Sequence, residues 1–388
     1  MPESPPGGFA LWNLGFRPFY LLASIFSAAS IAVWAAQYAG WLPAGAYLKG
    51  HLWHAHEMLF GYTVAVVAGF LLTAVRNWTN QTTPSGMLLA GLAALWVAGR
   101  VLALAPWPVA AAVVNAAFPV AIAVAIAVPM VRSANRRNYF FAALLAFMGV
   151  AVLAFHLSNQ GTLSLPPRLG LLAGLDLVLF IMVVMGGRVI PMFTNNGVPG
   201  TNARRTPATE RFALGSVLVL LAADLAQVPA AVVGTVAVAA AIAHAVRLAL
   251  WQPWRTLHTP LVWVLHGAYA WIVVHLALRA LAAAGLVGES LALHALTLGA
   301  IGGLTIGMMT RTAKGHTGRQ LKADGYEVAA YGLVMAAALV RVAGGILLPG
   351  AYPATVAGSA ALWSAAFAIY AVRYWPVLTR PRIDGKPG

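Results

Sequence analysis

The chain has no cysteine and only nine acidic residues among 388. Without cysteine there is no disulfide, no thiolate-bound copper, no iron–sulfur cluster and no haem attached through a CxxCH motif. Any redox cofactor has to rest on histidine, methionine, carboxylate or backbone ligands. Charged residues make up 9% of the sequence, against about a quarter in an ordinary soluble domain. A water-soluble fold of this length needs a polar surface that such a composition does not supply. Apolar residues are what the chain has in quantity, at 61%. They fall in long runs, not in the alternating segments of roughly ten residues that mark a membrane β-barrel. The expected class is an all-α polytopic transmembrane bundle, one integral-membrane domain over residues 1–388 with no soluble domain.

A spanning helix needs roughly twenty apolar residues to cross about 30 Å of hydrocarbon. Turn signals at Pro84, Pro106, Pro108, Pro166, Pro167, Pro229, Pro260 and Pro353 cut the apolar runs. The result is twelve predicted spans: 19–40, 53–75, 86–105, 108–132, 138–160, 168–193, 208–226, 229–251, 259–284, 289–311, 325–349 and 352–376. The N-terminal stretch MPESPPGGFALW lacks the basic, apolar and small-residue succession of a cleavable signal. The first helix is expected to serve as its own insertion signal.

The formal charge of +15 reads as loop arginines and not as a nucleic-acid surface. With twelve spans and the N-terminus inside, nineteen of the 24 lysines and arginines fall on the cytoplasmic side. The other five are Lys49, Arg100, Arg168, Arg279 and Arg341. That bias predicts cytoplasmic termini.

The same orientation sorts the ten histidines. His51, His54, His56, His156, His275 and His294 gather toward the outer face on four different spans. Ionisable groups inside spans are costly and point to function, and imidazole is the commonest metal ligand. A lone interfacial histidine is more often a plain amphipathic side chain, so the weight lies on the set. His54 and His56 are two residues apart, about 200° around a helix, so one regular helix cannot aim both at one centre. His54 and Met58 share a helix face. His266 and His275 lie on opposite faces and should not share a metal. His244 and His266, at similar depth, suit either a bis-imidazole haem or two satisfied core histidines. Glu57 follows His56 and can orient an imidazole or relay a proton. Arg100, Arg279 and Arg341 lie toward the outer side and are candidates to pair with haem propionates or with Asp176. Glycines at 299, 302, 303 and 307 suit either close helix packing or room for a flat macrocycle.

The strings GFRPFYLL (15–22), WHAHEMLFGY (53–62), AGFLLTAVRNWT (68–79), GGRVIPMFTNNG (186–197), LVWVLHGAYAW (261–271) and LHALTLGAIGGLTIGMMTRTAKGHTGR (293–319) run through most of the chain. In these the sequence resembles the NnrS family of bacterial membrane proteins linked to nitric-oxide stress. The resemblance implies a multi-pass protein of the bacterial inner membrane holding non-covalent haem b and copper. Its motifs carry over onto His54, His56, Glu57, Arg188, His266, His294, Arg311 and His316, whereas His156 and His275 rest on position alone. It does not imply which histidine takes which metal.

One expected function is a histidine-ligated redox site where nitric oxide is reduced to nitrous oxide, with Glu57 and the imidazoles passing protons. Electrons would come from an external donor, because the chain has no ligand set for a c-type haem or an iron–sulfur cluster. The alternatives are a non-enzymatic nitric-oxide sensor or scavenger, and a twelve-span metal or solute transporter. The partners expected are nitric oxide, the lipid bilayer and, for an enzyme, that donor.

Overall fold

Inside a bilayer no water satisfies backbone N–H and C=O groups, so each apolar run must close its own hydrogen bonds. The computed structural model describes residues 8–386, and these form helices with no strand. The long helices are α1 (Phe16–Tyr38), α2 (Gly50–Thr79), α3 (Gly86–Leu104), α4 (Pro108–Arg132), α5 (Tyr139–Asn159) and α6 (Pro167–Gly197). They continue as α7 (Pro207–Leu225), α8 (Ala230–Leu250), α9 (Pro260–Ala283), α10 (Glu289–His316), α11 (Gly325–Leu347) and α12 (Tyr352–Thr379). Each predicted run is a helix, with its ends displaced by a few residues. Eleven are long and apolar enough to cross a membrane. The twelfth, α7, carries Glu210, Arg211 and Asp224 within nineteen residues.

Two helices are not uniform. α2 opens as an α-helix over Gly50–His56, widens into a π-helix over Glu57–Thr63 and then returns to α-helix. α10 repeats the pattern, with Glu289–His294 followed by a π-helix over Ala295–Gly302. In both, the wide turns begin directly after a histidine. π-turns are rare and concentrate at functional sites, because their loose ladder has to be supported from outside. In α2 the Trp96 indole N–H donates to Gly61 O at 3.0 Å, and the Thr63 hydroxyl donates to Met58 O at 2.8 Å.

The chain divides into two compact units. The first comprises segments 8–175, 309–321 and 367–386. Within it the two ends of the described chain meet. Ala10 N–H donates to Thr379 O at 2.7 Å. Arg17, fully buried in α1, donates through Nη1 to Leu378 O at 3.0 Å and Arg380 O at 2.8 Å. A cation thus satisfies carbonyls that the end of α12 leaves open. Beyond α12, Arg382 donates to His316 O at 2.9 Å and pairs with Asp384 at 2.6 Å, which holds that carboxyl down at about 2.

The second unit comprises 176–308 and 322–366. The glycines of α10 settle an alternative here. A Cβ on Gly299 would meet Trp271, one on Gly302 Trp363, one on Gly303 Met335 and Ala268, and one on Gly307 Leu265 and Val264. Neighbouring side chains fill each position, so these glycines serve close helix packing.

Candidate functional site

The site of the first unit is built around the π-segment of α2. His56 and Glu57 are completely buried, at 0% and 1% exposure. An ionised carboxylate at that depth is tolerated only with partners, and Glu57 has two. Its Oε1 accepts from His56 Nδ1–H at 2.8 Å, and its Oε2 accepts from Arg100 Nη1 at 2.7 Å. Arg100 also donates to Asn115 Oδ1, whose amide in turn donates to Ala111 O at 2.9 Å and Gly99 O at 3.2 Å. The guanidinium lies over Phe26 and Trp96. Gly61 makes the approach possible, because a Cβ there would strike Arg100 Nη1 and crowd Glu57 Oε2. Gly61→Ala is therefore expected to destabilise the protein by about 1–3 kcal/mol through overpacking. Gly91→Ala, with nothing within 4 Å of its Cβ, should be harmless. Thermal unfolding of the detergent-solubilised protein checks both, and equal midpoints would remove the role given to Gly61.

Fixing Nδ1–H of His56 leaves Nε2 as the ring's lone pair, and it points at His156. The two Nε2 atoms are 3.1 Å apart, with His156 at 0% exposure. His156 Nδ1 is held in turn by the Tyr47 hydroxyl at 2.9 Å, and Gln160 donates to that hydroxyl at 3.2 Å. Two arrangements satisfy this geometry. In one, His156 Nε2–H donates to His56 Nε2 and the Tyr47 O–H donates to His156 Nδ1. In the other, both Nε2 lone pairs face one metal ion and both Nδ1–H groups are anchored by oxygen, as in carboxylate–histidine–metal triads. Two nitrogens 3.1 Å apart, each at roughly 2.0–2.1 Å from a metal, subtend about 95–102°, an ordinary angle between adjacent ligands. The donor set therefore fits a metal. Among the described residues no three histidine, aspartate or glutamate side chains converge on one point, so this pair offers two nitrogens.

The other candidates lie elsewhere. His54 stacks on Trp34 with ring centroids 4.2 Å apart, turned away from His56 as the two-residue spacing requires. Met58 accepts a contact from Ser30 at 3.8 Å. His316 packs against Phe16 where the chain ends meet. Arg188 and Arg311 are half-buried. Glu57 is enclosed by His56 and Arg100, a positioning role more than that of an exposed acid.

In the second unit His275 is 2% exposed, and its Nδ1–H donates to Ala292 O at 2.8 Å. Its Nε2 is buried with no protein partner, so that nitrogen could ligate a metal. His294 donates from Nδ1 to Ser290 O at 2.6 Å. Arg341 donates to Tyr352 OH at 2.5 Å and Ser290 Oγ at 3.3 Å, while its Nη1 is buried without a partner. That donor is available to an anion such as a propionate. Arg279 is committed instead to Asp176, at 3.4 Å, and to Asp224. His266 Nε2–H donates to Thr194 Oγ1 at 2.8 Å, leaving only Nδ1 open. His244 has both nitrogens occupied, by Tyr269 OH at 2.6 Å and Ala213 O at 3.2 Å. His244 thus has the contacts of a satisfied core histidine.

His244 belongs to a buried network that sequence reasoning missed. Arg247, at 1% exposure, donates to both oxygens of Glu210 at 2.8 and 2.7 Å, to Val183 O at 2.9 Å and to Tyr269 OH at 2.8 Å. A charge at the end of an apolar run looks like a loop residue in sequence, and nothing in its spacing identified Glu210 as its partner.

Fold and site together define a multi-pass helical membrane protein with a buried, carboxylate-anchored histidine pair. Residues 10–382 match the family model described as NnrS protein, and the chain belongs to the NnrS family. Membership is consistent with a nitric-oxide-related membrane protein. No curated protein matches the sequence.

Proposed function

We propose that the protein is a haem- and copper-binding component of nitric-oxide metabolism in the bacterial inner membrane, and that it reduces nitric oxide to nitrous oxide. The observation that carries this reading is the His56–His156 pair, whose Nε2 atoms face each other at 3.1 Å while Glu57 and Tyr47 hold the opposite nitrogens. His56 and His156 would hold copper. His275 Nε2 would hold haem iron, with Arg341 Nη1 toward a propionate. These groups, when bound, supply nitric-oxide binding and one-electron chemistry.

The rest belongs to the chain. Glu57 and Arg100 fix the tautomer of His56, and Tyr47 orients His156. Gln160, Tyr47, His156, His56 and Glu57 form a continuous hydrogen-bonded series from a half-buried loop to the buried carboxylate. With both Nε2 atoms on the ion, the Nδ1–H groups of His56 and His156 donate outward to Glu57 and Tyr47, which hold the protons beside the pair. Converting two nitric oxides to nitrous oxide and water consumes two protons and two electrons. The electrons come from an external donor.

A reduced-minus-oxidised spectrum with metal analysis tests the assignment. The purified protein should show a haem b Soret band, lost in His275→Ala, and copper that is retained in that variant. Absence of the band after expression with ample haem would sink the haem assignment. Nitrous oxide formed with an artificial donor supports turnover. Nitric-oxide binding without nitrous oxide would establish the scavenger or sensor reading instead.

A further inference from the structure

Away from the histidines, a groove of about 740 Å³ runs between α3 and α4 in the first unit, within the roughly 300–1,000 Å³ usual for small-molecule sites. Its walls are apolar. Leu88 and Leu92, one turn apart, line it from α3, and Val124 and Val128, one turn apart, line it from α4. Leu88, Val124 and Val128 are largely exposed, so in a membrane the groove opens toward lipid chains.

The mouth has a different chemistry. Thr83 lines it at 8% exposure, and its hydroxyl is buried without a hydrogen-bond partner. Ser85, the N-cap of α3, lines it too, and its hydroxyl does not cap the helix. The Gly86 N–H is used by Trp12 O at 2.8 Å. The rest of the first turn keeps the unsatisfied N–H groups and positive dipole end that favour an anion. Arg132 lies four residues beyond Val128, one turn further along the same face of α4. Arg136 and Arg137 follow, and all three are exposed with no carboxylate partner among the described residues. Asn135 donates to Trp78 O at 2.8 Å, which ties this basic turn to the end of α2, just before the Thr83 loop.

We infer that this groove is a binding site for an anionic phospholipid. One acyl chain lies along Leu88, Leu92, Val124 and Val128. The phosphodiester accepts from the Thr83 and Ser85 hydroxyls and the α3 N-terminus, and the arginines select a net negative headgroup. A free inorganic anion would have no use for the apolar groove, and a neutral lipid no use for three unpaired arginines. The inference is independent of the metal assignments.

Native mass spectrometry of the full chain, with phosphatidylglycerol or phosphatidylcholine of identical acyl chains, tests it. Phosphatidylglycerol adducts should outlast phosphatidylcholine adducts on collisional activation. Thr83→Val and Arg132→Gln should each weaken phosphatidylglycerol binding about tenfold, the worth of a hydrogen bond to a charged group. Thr83→Ser should bind normally, and Val128→Trp, at an exposed position, should block the groove. Equal retention of both lipids, or indifference to Thr83→Val, Arg132→Gln and Val128→Trp, would leave only bulk lipid and overturn the site. So would displacement of phosphatidylglycerol by inorganic phosphate with Val128→Trp unimpaired, or recovery of a quinone from the groove in place of lipid.

Discussion

Arg100→Met is expected to destabilise the protein by about 3–5 kcal/mol, because it strips a buried carboxylate of its cationic partner. Glu57 is 1% exposed and sits between Arg100 and His56. With Arg100 gone, it must keep a charge in a low-dielectric interior or take up a proton and loosen its hold on His56. Asn115 loses its donor as well. The double variant Arg100→Met/Glu57→Met should recover most of the stability, since replacing both members of a buried ion pair by apolar groups is often neutral. Denaturant or thermal unfolding of wild type, both single variants and the double completes the cycle. Losses that simply add would show that the pair is not coupled, and Glu57 would need another explanation for its depth.

Copper binding in His156→Ala is expected to fall to background, and in His56→Ala equally far. The double variant should be no worse than either single one, because two imidazoles that share one ion act as a unit. His54→Ala should keep its copper, since that ring is stacked on Trp34. Metal content after purification, followed by titration against a competing chelator, measures this. Tyr47→Phe leaves both ligands in place and removes the anchor of His156 Nδ1. A loss of about 10–100-fold in affinity is expected from such an outer partner. Should His156→Ala retain full copper, the 3.1 Å contact is a hydrogen bond and nothing more.

Much of this architecture was legible because hydropathy is a one-dimensional signal. Run length and proline placement located twelve helices to within a few residues, and α7 stood apart only through its three charges. Angular reasoning also carried: the spacing of His54 and His56 required them to face apart, and they do. Depth was harder. Arg100 was a candidate to pair with a haem propionate or Asp176, but a linear sequence has no register between helices, and its partner is Glu57. The π-segments were hidden because hydrophobic periodicity assumes 3.6 residues per turn. Their one trace was a histidine set before a glycine-bearing run in both α2 and α10. Tyr47 and Asn115 left no trace at all, since a loop tyrosine and a single in-span asparagine have many ordinary uses.

The burial of Arg17 has a consequence for how the molecule is made. Its carbonyl partner at Leu378 lies 361 residues away along the chain. At roughly 5–20 residues per second, synthesis leaves an interval of about 20–70 s between the first helix and the last. Throughout it, a guanidinium at the head of α1 has been translated while the carbonyls that will hold it have not. The first unit cannot close until α12 has been made, so a nascent chain truncated before α12 is an assembly intermediate with an open charge, and a natural substrate for membrane quality control.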